Sequence, residues 1–150
     1  MRKLLALAVI MTAAIPAFAY RVPPFANETY KTQCSDCHMA FQPQLLPVRS
    51  WRLLLGDLSH HFGEDASIDP RAVTEIRAYL MQNAGDSTGR NRGLTKRLPP
   101  DETPLRITEL PLWVAIHSDE VPQQRWKRAG SKANCAACHT NAAEGYYREE

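Results

Sequence analysis

The sequence predicts an all-α protein made of two small helical lobes. No segment keeps the strict alternation of apolar and polar residues that marks a half-buried strand, whereas apolar residues recur at helical spacing in several places. Residues 85–104 interrupt that pattern with a stretch dense in glycine, proline and charge, which is typical of a connector. We therefore predict a leader at 1–19, a first lobe at 20–84, a connector at 85–104 and a second lobe at 105–150.

The first 19 residues predict a cleavable secretory signal peptide. Arg2-Lys3 form a short positive start, Leu4 to Ala14 an apolar run, and Ala17-Phe18-Ala19 a cleavage site with small residues. The apolar run is shorter than the roughly 20 residues of a membrane-spanning helix. We therefore expect export out of the cytoplasm and no membrane span after cleavage.

Two helices are predicted in the first part of the first lobe. Asn27 is a suitable cap for a helix that runs through Cys34 to His38. Pro47 suits the first turn of a second helix, because the amide hydrogen that proline lacks would have no partner there. Four apolar residues spaced i, i+3, i+4 and i+7 give this helix its buried face: Trp51, Leu54, Leu55 and Leu58.

A third helix closes the first lobe. It is expected to begin at Asp69-Pro70, a capping residue followed by proline at the first helical position. Asn83-Ala84-Gly85 is expected to end it. Its buried stripe is predicted from four residues at helical spacing: Val73, Ile76, Tyr79 and Leu80.

The second lobe begins with another amphipathic helix. Thr108 is a candidate cap, and Pro111 lies near the first turn. Four residues define one face of this helix: Leu110, Trp113, Val114 and His117. Ser131 is a candidate cap for a last helix that would carry residues 135–139.

The charge balance excludes a nucleic-acid-binding role. The chain has 18 Lys and Arg against 16 Asp and Glu, a formal charge of +2. Two of the basic residues, Arg2 and Lys3, belong to the predicted leader, so the remainder is balanced. A nucleic-acid-binding domain would instead carry a basic patch and a high isoelectric point.

One pentapeptide pattern occurs twice. Residues 34–38 read CSDCH and residues 135–139 read CAACH, and together they use all four cysteines. Cys-x-x-Cys-His is the attachment pattern of a c-type haem: the two thiols form thioether bonds, and the histidine is an axial ligand of the iron. We therefore predict two covalent haems, attached through Cys34, Cys37, Cys135 and Cys138.

Other uses of paired cysteines fit less well. Zinc ribbons separate their Cys-x-x-Cys pairs by roughly 15–20 residues, whereas about 100 residues separate these two pairs. A thioredoxin-like dithiol would lie next to a βαβ pattern, and neither pair does.

The motif predicts His38 and His139 as the first axial ligands. For the opposite side of each haem, His117 is a candidate because it projects from the apolar face of its helix. The ordinary alternative is a core histidine that bonds a carbonyl. Imidazole is nevertheless a common axial ligand, and a haem must lie close to this helix, so we predict that His117 binds iron.

The remaining axial position has competing candidates. On a continued second helix, His61 would follow the Trp51 face, whereas His60 would lie about 100° away, so His61 is favoured and His60 is the alternative. Met81 is a further candidate, but a methionine there more often fills the core. Met39 directly follows a ligand and cannot reach the opposite side of that haem.

Two histidines on each iron would leave no position open for a substrate. This favours electron transfer over catalysis, with lower reduction potentials than a methionine ligand would give. The alternative is a small haem enzyme, a peroxidase or an oxyanion reductase, with one displaceable ligand and polar groups such as His60 and Arg52.

The chain resembles the bacterial dihaem cytochrome c family, often abbreviated DHC. The resemblance begins at the first pentapeptide and covers most of the chain after the leader. The segments that carry it are residues 34–38, LLPVRSW (45–51), HFGEDASID (61–69), AYLMQNAGD (78–86), RITELPLW (106–113), His117 and SKANCAACHTNAAEGYY (131–147).

The resemblance implies a periplasmic electron carrier with two bis-histidine haems, one of them in a class I cytochrome-c-like N-terminal lobe. It also implies two redox partners, a membrane b-type cytochrome as donor and a high-spin haem protein as acceptor. We expect a non-enzymatic monomer.

Overall fold

The computed structural model describes residues 20–118 and 121–148, so the predicted signal peptide lies outside the described residues. Five α-helices account for most of the regular structure, which agrees with the predicted all-α class. They are α1 Glu28–Cys34, α2 Val48–Leu54, α3 Pro70–Asn83, α4 Pro111–His117 and α5 Gln123–Ala129. Among the helices of the described residues, none has both the length and the apolar character that a membrane crossing requires.

The ends of the helices follow local capping chemistry. The Asn27 side chain accepts a hydrogen bond of 2.6 Å from the amide of Tyr30 at the start of α1, and Asp69 accepts one of 2.8 Å from Arg71 at the start of α3. Both predicted caps are therefore confirmed. Helix α3 ends at Asn83, as expected.

The helix predictions at α1, at α4 and at the second motif need correction. Helix α1 ends at Cys34, and the first pentapeptide continues as a turn through Ser35 and Asp36, residue types that favour turns over helix interiors. Thr108 does not cap α4, because it lies inside a 3-10 helix at Ile107–Glu109, and Leu110 precedes Pro111 at the helix start. Ser131 accepts from the amide of Ala133 in a turn and does not cap a helix.

A short antiparallel strand pair joins the two ends of the described chain. It consists of β1 Tyr20–Arg21 and β2 Tyr146–Tyr147, and the sequence did not predict it. The amide of Val22 continues the pairing with a 2.9 Å bond to the carbonyl of Gly145. Gly145 has φ +83°, and a Cβ there would lie 2.2 Å from the Val22 carbonyl oxygen, so this close approach requires glycine.

The core is one hydrophobic cluster that both halves of the chain share. Ile76 and Leu80 of α3 and Leu110 before α4 are completely or almost completely buried. The buried members of the cluster are Val22, Tyr30, Ala40, Leu45, Leu46, Trp51, Leu55, Ile76, Leu80, Ala84, Leu98, Ile107, Leu110 and Trp113.

Part of the predicted connector packs against the rest of the protein. It contains a 3-10 helix at Gly93–Arg97, in which Thr95 is fully buried and Leu98 follows as a core residue. The Thr95 hydroxyl donates to the carbonyl of Arg92 at 2.8 Å. The boundaries of the two lobes stay a prediction.

Candidate haem sites

The first pentapeptide starts at the end of α1. Cys34 is the last residue of that helix, and Cys37 and His38 follow in an exposed turn. The Nδ1 atom of His38 lies 2.8 Å from the carbonyl oxygen of Met39, and its ring stacks on Phe41 with centroids 4.9 Å apart. These two contacts fix both the position and the plane of the imidazole.

His61 faces His38, and its position arises differently from the prediction. Helix α2 ends at Leu54, so His61 does not continue the helical face of Trp51. It lies instead in a tight turn closed by two backbone hydrogen bonds with Glu64, of 2.9 and 3.2 Å. The ring centroids of His38 and His61 are 6.2 Å apart, and their planes differ by 28°.

The neighbouring His60 points elsewhere. Its side chain is 81% exposed, and its Nδ1 atom lies 2.8 Å from Asp57 Oδ1. That carboxylate raises the pKa of His60, whereas burial and the neighbouring His38 lower the pKa of His61. Among the described residues, the ring contacts of His38 are with Phe41 and His61, not with His60.

The first three residues of the second pentapeptide form a 3-10 helix, Cys135–Ala137, and Cys138 and His139 follow it. It comes after a helix that the sequence did not predict, α5. The Nδ1 atom of His139 lies 3.0 Å from the carbonyl oxygen of Arg148. His117, the last residue of α4, faces it with ring centroids 6.3 Å apart and planes at 87°. His117 Nδ1 also bonds a backbone carbonyl, that of Trp113, at 2.9 Å.

Both histidine pairs have the separation that two axial ligands of one iron require. Metal–imidazole bonds are about 2.0 Å long, and the nitrogen of a five-membered ring with bonds of about 1.33 Å lies about 1.1 Å from the centroid. Two imidazoles on opposite sides of one metal ion therefore have centroids about 6.2–6.4 Å apart. The observed distances of 6.2 and 6.3 Å fit this geometry.

The hydrogen bonds of the rings also suit iron ligation. His38, His117 and His139 each place Nδ1 against a backbone carbonyl oxygen, which selects the tautomer with hydrogen on Nδ1. In that tautomer Nε2 carries the lone pair that a metal binds, and the carbonyl raises the basicity of the ligand. Three of the four predicted ligands thus have the outer partner that metal-bound histidines usually have.

The cysteines do not resemble a zinc or redox site. All four are free, and burial raises the pKa of Cys34 and Cys135 to about 11. Thiol exchange proceeds through the thiolate, which this burial disfavours. Within residues 20–118 and 121–148, no three His, Cys, Asp or Glu side chains converge where they could hold a bare metal ion.

The space beside the second motif is open and partly basic. A cavity of about 340 Å³ lies there, lined by Cys138, Ala137, Thr140, Arg125 and Arg128. The two arginines extend from α5 and would suit the carboxylates of a haem. Met81, the alternative ligand, is half-buried and packs against the hydrophobic core.

Sequence reasoning missed the aromatic side chains that stack on two of these histidine rings. Trp113 stacks on His117, and Phe41 stacks on His38. Trp113 lies four residues before His117 on a helix, so the i, i+4 rule gave a usable signal for that contact. Phe41 gave none, because it lies outside any helix and is brought to His38 by the course of the loop.

Comparison with known proteins gives consistent matches. The family model for dihaem cytochrome c matches residues 30–147. A solved diheme cytochrome c from Rhodobacter sphaeroides is 45% identical and covers 83% of this chain and 99% of its own, with a TM-score of 0.79. A diheme cytochrome type c from Shewanella baltica OS155 is 33% identical and covers 79% and 85%, with a TM-score of 0.64. A search among curated proteins finds no match.

Proposed function

This chain belongs to the dihaem cytochrome c family, whose members transfer electrons with two covalently attached c-type haems, and we propose that it does so in the periplasm. The proposal of export is based on residues 1–19, which have the three-part pattern of a cleavable signal peptide. The proposed haem attachment is based on the two pentapeptides: Cys34 and Cys37 would bind one haem, and Cys135 and Cys138 the other.

We assign the iron ligands as two histidine pairs, His38 with His61 and His117 with His139. The observation that carries the assignment is the pair of centroid distances, 6.2 and 6.3 Å, each of which fits one iron between two imidazoles. His60 is set aside because its ring is exposed and bonded to Asp57.

With two histidines available to hold each haem iron, the chain would act as an electron carrier. A bound c-type haem supplies a one-electron couple, and two imidazoles keep its potential lower than methionine ligation would. The carbonyls of Met39, Trp113 and Arg148 hold three of the imidazoles in place. Little rearrangement would then be needed when the charge on a bound iron changes, and no coordination position would be left for a substrate.

The partners follow from the family resemblance. We propose a membrane b-type cytochrome as electron donor and a soluble high-spin haem protein as acceptor, with the chain acting as a monomer between them. A peroxidase or oxyanion reductase would instead need an iron with a displaceable ligand.

The test uses the full chain, expressed in a bacterial host that matures c-type cytochromes. The exported protein should begin at Tyr20 and weigh two haems more than its polypeptide. Electron paramagnetic resonance of the oxidised protein should show low-spin iron only, and neither peroxide nor nitrite should alter the optical spectrum. A high-spin iron in the wild-type protein would refute the carrier assignment.

Two neighbouring variants test the ligand assignment. His61→Ala should turn one haem high-spin, whereas His60→Ala should leave both low-spin. His61→Met keeps a possible ligand and should instead raise the potential of one haem. A high-spin signal in the His60 variant, with none in the His61 variant, would reverse the assignment.

A further inference from the structure

The two histidine pairs differ in the angle between their rings. The planes of His38 and His61 are 28° apart, close to parallel, whereas the planes of His117 and His139 are 87° apart, close to perpendicular. The distances within the pairs are nearly the same, so the angle is the main geometric difference between them.

Trp113 packs flat against the His117 ring. Its indole lies parallel to the imidazole, with centroids 4.2 Å apart and an interplanar angle of 12°. The bond from His117 Nδ1 to the Trp113 carbonyl fixes one edge of the ring. Trp113 is itself only 7% exposed and packs against Trp126 at 5.9 Å, so the indole has little freedom to turn.

The ring angle matters because of the electronic structure of low-spin ferric iron. The unpaired electron occupies one of two orbitals that point above and below the haem plane. Parallel imidazoles interact with the same orbital and separate the two energies. Perpendicular imidazoles interact with one orbital each and leave the energies nearly equal, which makes the magnetic response of the iron strongly anisotropic.

We propose that Trp113 is a positioning residue that keeps His117 perpendicular to His139 and thereby makes the two haems electronically different. This inference rests on the proposed histidine ligands. Because Trp113 acts through the face of the ring, its effect is separable from the hydrogen bond, which comes from the backbone and survives substitution of the side chain.

The test is the electron paramagnetic resonance spectrum of the oxidised two-haem protein. The wild-type protein should give two low-spin signals in equal amounts, one of ordinary rhombic shape and one strongly anisotropic with a larger maximum g value. Trp113→Leu should move only the anisotropic signal toward the rhombic shape. Trp113→Phe keeps an aromatic face and should keep that signal.

Trp51→Leu is the matched control. Trp51 has the same 7% exposure as Trp113, but its indole nitrogen bonds the Pro43 carbonyl at 2.7 Å, and its ring packs on Tyr30 rather than on a ligand. This variant should leave both signals unchanged.

Each outcome decides a different claim. Two rhombic signals in the wild-type protein would overturn the inference and leave the carrier function standing, whereas a high-spin signal would overturn the ligand assignment itself. An anisotropic signal that survives Trp113→Leu would remove the role of Trp113. If that variant fails to mature, Trp113→Met has a longer and more flexible side chain that can fill the site without a flat face, and it decides the same point.

Discussion

Gln42 links the loop after the first pentapeptide to the segment after the second, and its replacement by leucine should destabilise the whole protein. Its side chain is fully buried, and its Nε2 donates to the carbonyls of Ala142 and Ala143 at 2.8 and 3.1 Å. Its Oε1 accepts from the Tyr147 hydroxyl. One side chain thus joins segments about 100 residues apart in the sequence.

The expected cost follows from the three hydrogen bonds. Each contributes about 0.5–1.5 kcal/mol net. The Ala142 carbonyl keeps a second donor, the Gly145 amide at 3.0 Å, so the full penalty of an orphaned acceptor does not apply. Leucine has similar volume and fills the space. Together these considerations give a loss of about 3 kcal/mol in the free energy of unfolding.

The assay is urea unfolding of the haem-loaded protein, followed by circular dichroism. With a slope of about 2 kcal/mol per molar urea, the midpoint should fall by about 1.5 M for Gln42→Leu at an unchanged slope. Gln44→Leu is the matched control two residues away. The Gln44 Oε1 atom is buried and accepts no hydrogen bond from the described residues, so its removal should be neutral or stabilising.

Two results would refute this reasoning. The first is a midpoint for Gln42→Leu within about 0.25 M of wild type, the shift expected for an ordinary surface change of about 0.5 kcal/mol. The second is an equal loss in the Gln44 variant. Either would mean that burial near this site, and not the three hydrogen bonds, determines its stability.

Two further predictions concern glycine and tyrosine positions in the fold. Gly145→Ala should lower the free energy of unfolding by more than about 2 kcal/mol, because the added Cβ would collide with backbone atoms at φ +83°. Gly89→Ala, at φ +75° with open space around it, should lower it by about 1 kcal/mol in the same urea assay. Equal losses would show that the close approach at Gly145 is unimportant. Burial raises the pKa of Tyr30 well above its usual value, so the folded protein resists its ionisation, and stability should be full below about pH 10 and fall above it. Tyr30→Phe loses the 2.5 Å hydrogen bond to the Phe41 carbonyl, but it should make the alkaline decline in stability shallower. Urea midpoints of both proteins between pH 8 and 11 measure this. Parallel declines in the two proteins would contradict the assignment to Tyr30.

Local chemistry explains why much of the fold was predictable. The caps at Asn27 and Asp69, and the proline at the start of α4, act on amides within three residues, so the sequence alone shows them. Helix α5 was missed because its residues are mostly exposed and show no apolar stripe. The 3-10 helix at Gly93–Arg97 was missed because its one buried residue, Thr95, is buried with hydrogen bonds and not as part of an apolar pattern.

For the candidate haem sites too, the sequence shows what depends on neighbouring residues but not what depends on the fold. The pentapeptides and the histidine at 117 were identified from spacing, since covalent attachment and helix periodicity are properties of neighbouring residues. His61 was favoured for a reason that the structure does not support, a continuation of α2 past Leu54. Its actual position depends on a turn that is closed with Glu64.

The sequence by itself showed two Cys-x-x-Cys-His motifs, the attachment pattern of two covalent haems, and which histidines are available as ligand candidates. Only the tertiary structure decided that His61 lies opposite His38 and that the ring planes within the two pairs meet at 28° and 87°. It also decided that Gln42 contacts the segment after the second motif and that the β1–β2 pair joins the ends of the described chain. The physical reason is how far apart in the sequence the interacting residues are. Covalent motifs and caps act over a few residues, whereas ring angles and buried amide contacts depend on packing between segments that are far apart in the sequence.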